Sequence, residues 1–259
     1  MRNIASLPFF DPYTPEYEAD PHAVHRELLA ATPVARHPFG VAVLGYGEVQ
    51  TVLRDRRFAT PKGLFLRQYG VTEGPVWDRV TSNILDLDGD EHHRLRRLVA
   101  QSFTPRTADR LRDSMRETMR ELLAESGDRL DVVELVRDYP IAVVGALLGV
   151  PRSDWSFISR NTEDVFRVFL PSVADDQTLI RAAMEAMDTY VDRLVACRRQ
   201  DGLDGEDLVT QLSRAESDGD RLTLDELRML VASALGGGTD TTRNQFAAAI
   251  DTFLDNPKQ

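Results

Sequence analysis

The sequence predicts a mainly α-helical fold with one small β-hairpin, and three observations support this. From Ala108 onward, apolar residues recur almost continuously at the 3.6-residue spacing of helices. Only residues 34–44 contain two short apolar runs separated by a turn, the pattern typical of a hairpin. The stretch 223–255 keeps an apolar stripe throughout and predicts a helix ~48 Å long at 1.5 Å per residue, enough to cross a whole domain.

The composition is that of an ordinary globular protein and argues against several classes of partner. The 259 residues are 42% hydrophobic and 28% charged. The net charge of −11 and the isoelectric point near 5.0 argue against nucleic acid and anionic membranes as main partners. No apolar run approaches the ~20 residues of a membrane span, and the N-terminus lacks a secretory pattern. Because a single cysteine excludes a disulfide framework, we expect a cytoplasmic protein without a membrane anchor.

The chain before the last helix divides into a small β-containing region, a loop and a helical region. In the first 82 residues we predict an extended lead-in over 1–20, an amphipathic helix over Pro21–Ala31 with Val24, Leu28 and Leu29 inward, strands over 34–36 and 41–44, a helix over 47–55, and a loop over 61–82 carrying Phe65, Tyr69 and Trp77. In the helical region we predict helices over 108–127 and 131–149, a pair over 153–169 and 178–199 joined through 171–176, and a short helix over 207–215.

The predicted last helix combines clear end signals with an unfavourable centre. Thr223 and Glu226 form a capping box, and Asn256-Pro257 supplies the stop. Three interior glycines in the run 236–242 cost ~3 kcal/mol relative to alanines. The backbone is therefore expected to approach something flat or bulky there. The stripe consists of Leu227, Leu230, Val231, Ala234, Leu235, Phe246, Ala249, Ile250, Phe253 and Leu254.

The polar residues of this run predict a groove beside the helix. Gly237 and Gly238 share a face with the threonines one turn later. The hydroxyl of Thr241 is expected to bond the carbonyl of Gly237 and to loosen the helix locally. Asp240 then lies beside a groove able to admit a small ligand and water. The alternative is a glycine-mediated helix crossing that contains a satisfied buried aspartate.

A second candidate site lies on the basic helix that follows the acidic run 86–91. His92 and Arg96 are four residues apart and share one face, while Arg94 and Arg97 point elsewhere. Two convergent donors on one face suit a carboxylate. The alternative is a solvated basic helix.

These segments together resemble the cytochrome P-450 family, in its soluble bacterial class. Residues 237–242, GGTDTT, resemble the [A/G]-G-x-[D/E]-T-T oxygen-binding motif of the family's central helix. Residues 91–106 are similar to its "EHTRLRR…FTPR" segment, with departures at His93 and at Gly89-Asp90. "LRDRRFAT" and "PIAVVGALLGVP" are similar to an N-terminal and a core-packing segment of the family. The resemblance covers nearly the whole chain, which corresponds to the first ~60% of a full-length member.

The resemblance implies a cytochrome P-450 fold truncated after the long central helix. In it, 1–259 is the N-terminal portion of a single domain: 1–60 is the small β-containing region, 61–82 a loop that roofs the pocket, 83–222 a helical region with lid helices at about 153–199, and 223–255 the oxygen-binding helix.

The resemblance also implies the activity and its residues. A full-length member inserts one oxygen atom from O2 into a small apolar substrate, using haem b and electrons from NAD(P)H through a ferredoxin-type donor. Asp240 relays protons and Thr241 hydrogen-bonds the oxygen being activated. The remaining implied contacts are His92, Arg96, Phe103, Ile84, Leu85, Ala234, Gly237, Gly238 and Thr241 for the haem, with the first two on its propionates, and Phe166, Phe169 and Leu235 for the substrate.

Two expected features of the family are missing from the sequence. The iron requires a cysteine thiolate in a glycine-rich loop, but the sole cysteine, Cys197, lies in a predicted helix without glycines. We expect Cys197 to be a half-buried thiol rather than the ligand. The Glu-x-x-Arg pair that follows the central helix is also absent. The chain alone is therefore predicted to be inactive and to bind haem weakly or not at all. An expression fragment, an incompletely represented protein and a split or decayed gene remain open.

Three other functions are alternatives to this activity. The first is a haem-free relative of the family that activates a partner enzyme, which the retained His92, Arg96 and Asp240-Thr241 argue against. The second is a helical ligand-binding regulator. If it bound DNA, it would need a basic recognition helix that this acidic chain lacks. The third, a di-iron bundle, needs Glu-x-x-His pairs, and no glutamate here has a histidine three residues later.

Overall fold

The computed structural model describes residues 4–100, 102–217 and 222–259 and is mainly helical, as predicted. The helices are α1 (Pro15–Ala19), α2 (Pro21–Ala31), α3 (Tyr46–Arg54), α4 (Leu64–Gln68), α5 (Pro75–Thr81), α6 (Gly89–Ala100), α7 (Pro105–Glu125), α8 (Val132–Leu148), α9 (Trp155–Phe166), α10 (Val173–Gln200), α11 (Leu208–Ser217) and α12 (Leu224–Asp255). Three-residue 3₁₀ turns lie at Ile4–Ser6, Arg152–Asp154 and Arg167–Phe169. Within the described ranges, no helix is both long and apolar enough to cross a bilayer.

The chain divides into two compact units, and the first, Met1–Ala59, holds the hairpin. Strands β1 (Val34–His37) and β2 (Gly40–Val43) pair antiparallel, with Val34 opposite Val43. The hairpin prediction is confirmed.

Two details of the first unit differ from the predictions. The lead-in is not wholly extended, because Thr14 caps α1 by accepting a hydrogen bond from the N–H of Tyr17. In α2, Val24 and Leu28 are half-buried, but Leu29 is 44% exposed rather than inward. Val24 and Leu28 are one turn apart and share a face, whereas Leu29 lies about 100° further round the helix.

The second unit is Thr60–Gln259, and its first residues differ from the prediction. Residues 61–82 are not a loop, since they contain α4 and α5. Gly63 begins α4 in the left-handed conformation with φ 62°, and Pro75 occupies the first turn of α5. The indole of Trp77 packs over Gly63, which leaves no room for a Cβ atom there. Arg67 stacks on the same ring at 5.1 Å. We call residues 63–81 the α4–α5 unit.

The long helices of the second unit end where local chemistry predicts. Asp131 caps α8 by accepting hydrogen bonds from the N–H groups of Val133 and Glu134. Gly149 closes α8 in the left-handed conformation with φ 70°. The carbonyl of Gly149 accepts a hydrogen bond from Arg198 of α10 over 2.7 Å.

Helices α9 and α10 confirm the predicted pair around a turn, with two corrections. Residues 173–176 belong to α10 rather than to a separate piece, so α10 has 28 residues. Cys197 is exposed, not half-buried. It lies on the solvent side of α10, while Leu194 and Val195 of the same turn are buried.

Helix α12 is the axis of the core. The capping box is present, with the N–H of Glu226 donating to Thr223 Oγ1 and the N–H of Thr223 donating to Glu226 Oε2. The helix is continuous through the glycine run, so the expected loosening does not interrupt it. Helices α8, α9, α10 and α11 all pack against α12. Its apolar stripe is buried at Leu227, Leu230, Val231 and Leu235, whereas Phe253 and Leu254 are 61% and 75% exposed.

Candidate functional site

The three glycines of α12 have different neighbours. A Cβ atom at Gly236 would lie 2.7 Å from Cε2 of Phe166, and one at Gly238 would clash with Val144. A Cβ atom at Gly237 would meet no described atom within 4 Å. Packing against α9 and α8 therefore explains two of the glycines. The third leaves an open face in the middle of the helix.

Two threonines of the run donate hydrogen bonds from their hydroxyl groups to backbone carbonyls of the same helix. Thr239, which is 2% exposed, donates to the carbonyl of Leu235 over 2.8 Å. Thr241 donates to the carbonyl of Gly237 over 2.5 Å, as predicted, and its side chain is exposed. Because a hydroxyl oxygen keeps two lone pairs after donating its proton, Thr241 Oγ1 can still accept a hydrogen bond.

The carboxylate of Asp240 is half-buried beside this face. Asn244, one turn later, donates to Asp240 Oδ2 over 3.4 Å. Arg243 pairs instead with Glu163 of α9 over 3.3 Å. Among the described residues no cation pairs with Asp240, so its carboxylate is not held in an ion pair and can interact with a ligand.

Helix α6 carries both predicted propionate donors, His92 and Arg96. His92 is half-buried, with its ring 5.6 Å from that of His93, and Arg96 is exposed. Neither forms a hydrogen bond or ion pair with any described residue. Arg94 differs, because it pairs with Glu226 in the first turn of α12. This ion pair turns the side chain of Arg94 away from His92 and Arg96, in agreement with the prediction that Arg94 points elsewhere.

The segment before α6 is attached to α12. Asn83 Nδ2 donates to Ser233 Oγ over 3.0 Å, and the backbone N–H of Ile84 lies 3.3 Å from the sulfur of Met229. These bonds bring Ile84, which is half-buried, against the turn of α12 that precedes Ala234. Leu85 and Phe103, which the resemblance implies as further haem contacts, are 72% and 56% exposed.

The predicted substrate residues include two aromatic rings in contact. Phe166 and Phe169 have ring centroids 5.5 Å apart. Phe65 of α4 stacks edge-on against Phe169 at 5.3 Å. Phe65 is predicted from the sequence only as a loop aromatic, because a contact across so many residues has no local signal. Leu235 is 1% exposed and lies in the core.

A cavity of about 540 Å³ adjoins the open face. Its lining includes Thr241, Thr242 and Phe246 of α12 and Tyr139 of α8, whose ring lies 5.7 Å from that of Phe246. In the part of the chain that the structure describes, no cluster of histidine, cysteine or carboxylate side chains could hold a metal ion.

Comparison with known proteins decides the family. No model of a known protein family matches the chain. The chain is 32% identical to luteothin monooxygenase of Streptomyces thioluteus, over 98% of this chain and 63% of that protein. It is 34% identical to cytochrome P450 monooxygenase PikC of Streptomyces venezuelae, over 94% and 58%. The crystal structure of CalO2 matches with a TM-score of 0.86 at 30% identity, covering 98% of this chain and 64% of CalO2.

The chain belongs to the cytochrome P450 family. The structure of epothilone D-bound cytochrome P450epoK also matches, with a TM-score of 0.81 at 30% identity over 96% of this chain and 64% of that one. The P450 fold predicted from the sequence is therefore confirmed. The P450 chain spans about three fifths of the length of the curated relatives it matches.

Proposed function

We propose that this P450 chain carries the oxygen-binding helix of a haem-dependent monooxygenase that inserts one oxygen atom from O2 into a small apolar substrate. The observation that carries the proposal is the open face at Gly237, next to the exposed Thr241 and the half-buried Asp240. Phe166 and Val144 fill the space that side chains at positions 236 and 238 would need, whereas packing gives no reason for a glycine at 237. A flat cofactor lying against the helix gives one.

The residues present fit a haem. His92 and Arg96 are donors on one helix face that form no hydrogen bond or ion pair with the described residues, as expected for residues that hold propionates. Ile84, Leu85, Phe103 and Ala234 are proposed to line the ring, whereas Gly238 faces Val144 of α8 instead. When bound, haem supplies the oxygen-activating redox chemistry. The exposed Cys197 on α10 is not its iron ligand in this proposal.

The chain's own residues would handle protons at the open face. The hydroxyl of Thr241 donates its hydrogen bond to the carbonyl of Gly237, so its oxygen accepts a hydrogen bond from a protonated group on the ligand side. Asp240 holds and releases a proton next to this position, because no described cation pins its carboxylate. Asn244 orients the Asp240 carboxylate.

The rings of Phe166 and Phe169 are proposed to define the apolar substrate side, whereas Leu235, which is buried in the core, is not available to contact the substrate. The relatives include an epoxidase of epothilones C and D and a nocardicin C N-oxygenase. The substrate proposed for this chain is a small apolar molecule. Electrons are proposed to come from NAD(P)H through a ferredoxin-type donor in the cytoplasm. We also propose that residues 1–259 form part of one P450 domain, with a lid at about 153–199.

The test is a Gly237→Ala substitution in a protein extended to the length of its relatives. The expected result is lower haem affinity or a larger share of consumed O2 that yields no product. Gly47→Ala is the matched control, because Gly47 is also a helical glycine with open space around it, in α3. Equal behaviour of the two variants would remove the argument from Gly237. Absence of haem from every variant would favour a haem-free helper protein.

A further inference from the structure

The α4–α5 unit is attached to the rest of its compact unit in two ways. Leu66, Val71 and Val76 share a buried cluster with Val168, Val173 and Ile180. At the other end of the unit, Arg79 Nη2 lies 2.5 Å from Asp188 Oδ1 of α10. The side chains of Arg79 and Asp188 are 23% and 27% exposed. The ion pair is thus partly shielded from solvent, unlike most surface pairs.

Asp188 lies between arginines from two elements. Arg79 approaches it from α5, and Arg228 acts on it from α12. Arg228 itself grips Asp192, one turn along α10, with bonds of 2.8 and 2.5 Å to its two carboxylate oxygens. Asp192 and Asp225 are the acidic groups that act on Asp188. Helix α10 therefore stays attached to α12 when Arg79 is removed, and only its ion pair with α5 is lost.

The α4–α5 unit leads directly to the aromatic contacts of the site. Trp77 of α5 packs on Gly63 and Arg67 at the two ends of α4, so the two helices move together. Phe65 of α4 contacts Phe169, which contacts Phe166, and Phe166 covers Gly236 of α12. Any displacement of α5 from α10 is therefore passed to these rings.

We propose that Arg79 and Asp188 are positioning residues, whose ion pair holds the α4–α5 unit on α10 and so keeps Phe65 against Phe169. We call this ion pair the clamp. That the clamp controls access to the substrate side rests on the proposed function, whereas the clamp itself depends only on contacts within this chain. Phe65 and Phe169 are 49% and 41% exposed, so their edge-on contact has little surrounding packing to hold it when the clamp opens.

The experiment is amide hydrogen exchange on this chain, followed by mass spectrometry of peptides covering 63–82. Arg79→Met keeps the length of the side chain and removes its charge, while Arg79→Lys keeps the charge. We expect exchange in this segment to rise about five-fold in Arg79→Met, the effect of losing one partly exposed ion pair. Arg79→Lys should restore the parent rate. Asp188→Asn should give the same rise, and adding Arg79→Met to it should give no further increase.

Arg181→Met is the control, because Arg181 is exposed and pairs with Glu185 of the same helix. It should leave exchange in 63–82 unchanged. A parent-like rate in Arg79→Met, or an equal rise in Arg181→Met, would overturn the clamp. So would a uniform rise over all peptides with a lower melting temperature, which indicates a merely structural role. None of these readouts needs haem, so failure of the proposed function is seen separately in the Gly237 experiment.

Discussion

The ring of Phe166 occupies the space that a side chain at position 236 would need, with only 2.7 Å between its Cε2 atom and a Cβ built on Gly236. This relationship fixes how closely α9 approaches α12. One turn of helix contains a glycine required by packing at 236, an open glycine at 237 and another packed glycine at 238. Stability and function can therefore be separated residue by residue.

The first prediction is that alanine substitutions in the glycine run have opposite effects on stability. Gly236→Ala forces Phe166 to move and should lower the free energy of unfolding by about 1–3 kcal/mol, as overpacking does. Gly237→Ala should raise it by about 0.5–1 kcal/mol, because alanine is the better helix former and meets no atom. Urea unfolding of the two variants measures the difference. Two variants that shift in the same direction would show that the helix repacks.

The second prediction separates the two threonines that donate to the backbone. Thr239→Val removes a buried hydroxyl bond and should lower the free energy of unfolding by about 1 kcal/mol. Thr241→Val should change stability less, because its side chain is exposed. In a haem-loaded, full-length protein, Thr241→Val should divert consumed O2 to peroxide while Thr239→Val keeps coupling to product. Parent-level coupling in Thr241→Val would make its hydrogen bond to Gly237 purely structural.

The third prediction concerns the propionate donors. His92→Ala combined with Arg96→Ala in a full-length protein should weaken haem affinity by about ten-fold or more, because two charge-assisted hydrogen bonds are lost. Arg97→Ala is the matched control on the same helix, since Arg97 was predicted to point elsewhere. Haem titration followed by the absorption spectrum measures both. An unchanged affinity in the double variant would remove His92 and Arg96 from the site.

The fourth prediction is a pH dependence of opposite sign at two neighbouring carboxylates of α10. Burial raises the pKa of Asp188 by more than Arg79 and Arg228 lower it. Ionisation of Asp188 therefore opposes folding, and its contribution to stability falls as the pH rises from the unfolded value near 3.8 through the folded pKa. The hydrogen bonds from Arg228 lower the pKa of Asp192, so the stability contributed by its ionised form is lost as the pH falls through the folded pKa.

Urea unfolding between about pH 3 and 7 tests this with Asp188→Asn and Asp192→Asn. As the pH rises, the Asp188 variant should gain stability relative to the parent and the Asp192 variant should lose it. If both differences change in the same direction, the electrostatic environment inferred for Asp188 is wrong.

Local chemistry explains which parts of the fold were predictable. The capping box at Thr223, the stop of α8 at Gly149 and the hydrogen bond from Thr241 to Gly237 all join residues within a turn of each other, so the sequence contains the whole signal. The α4–α5 unit was missed because its helices are too short to show periodicity. They are held by Trp77 on Gly63 and by the buried cluster around Leu66, contacts that composition does not indicate.

Contacts between distant residues account for the rest of the site. Phe65 meets Phe169, and Arg79 meets Asp188, across about a hundred residues of intervening chain. Neither pair follows from spacing. The different surroundings of Gly236, Gly237 and Gly238 also depend on where α8 and α9 cross α12, so the sequence predicted Gly237 and Gly238 on one groove face although Gly238 meets Val144.

The exposed thiol of Cys197 makes α10 easy to observe. As the sole cysteine of the sequence, it accepts a fluorescent or spin label at one defined position without prior mutagenesis. It lies on the same helix as Asp188, about 13 Å along the axis at 1.5 Å per residue, so a label there would leave the ion pair with Arg79 untouched. Distances from this label to a second one on α5 would record, molecule by molecule, how often the two helices separate.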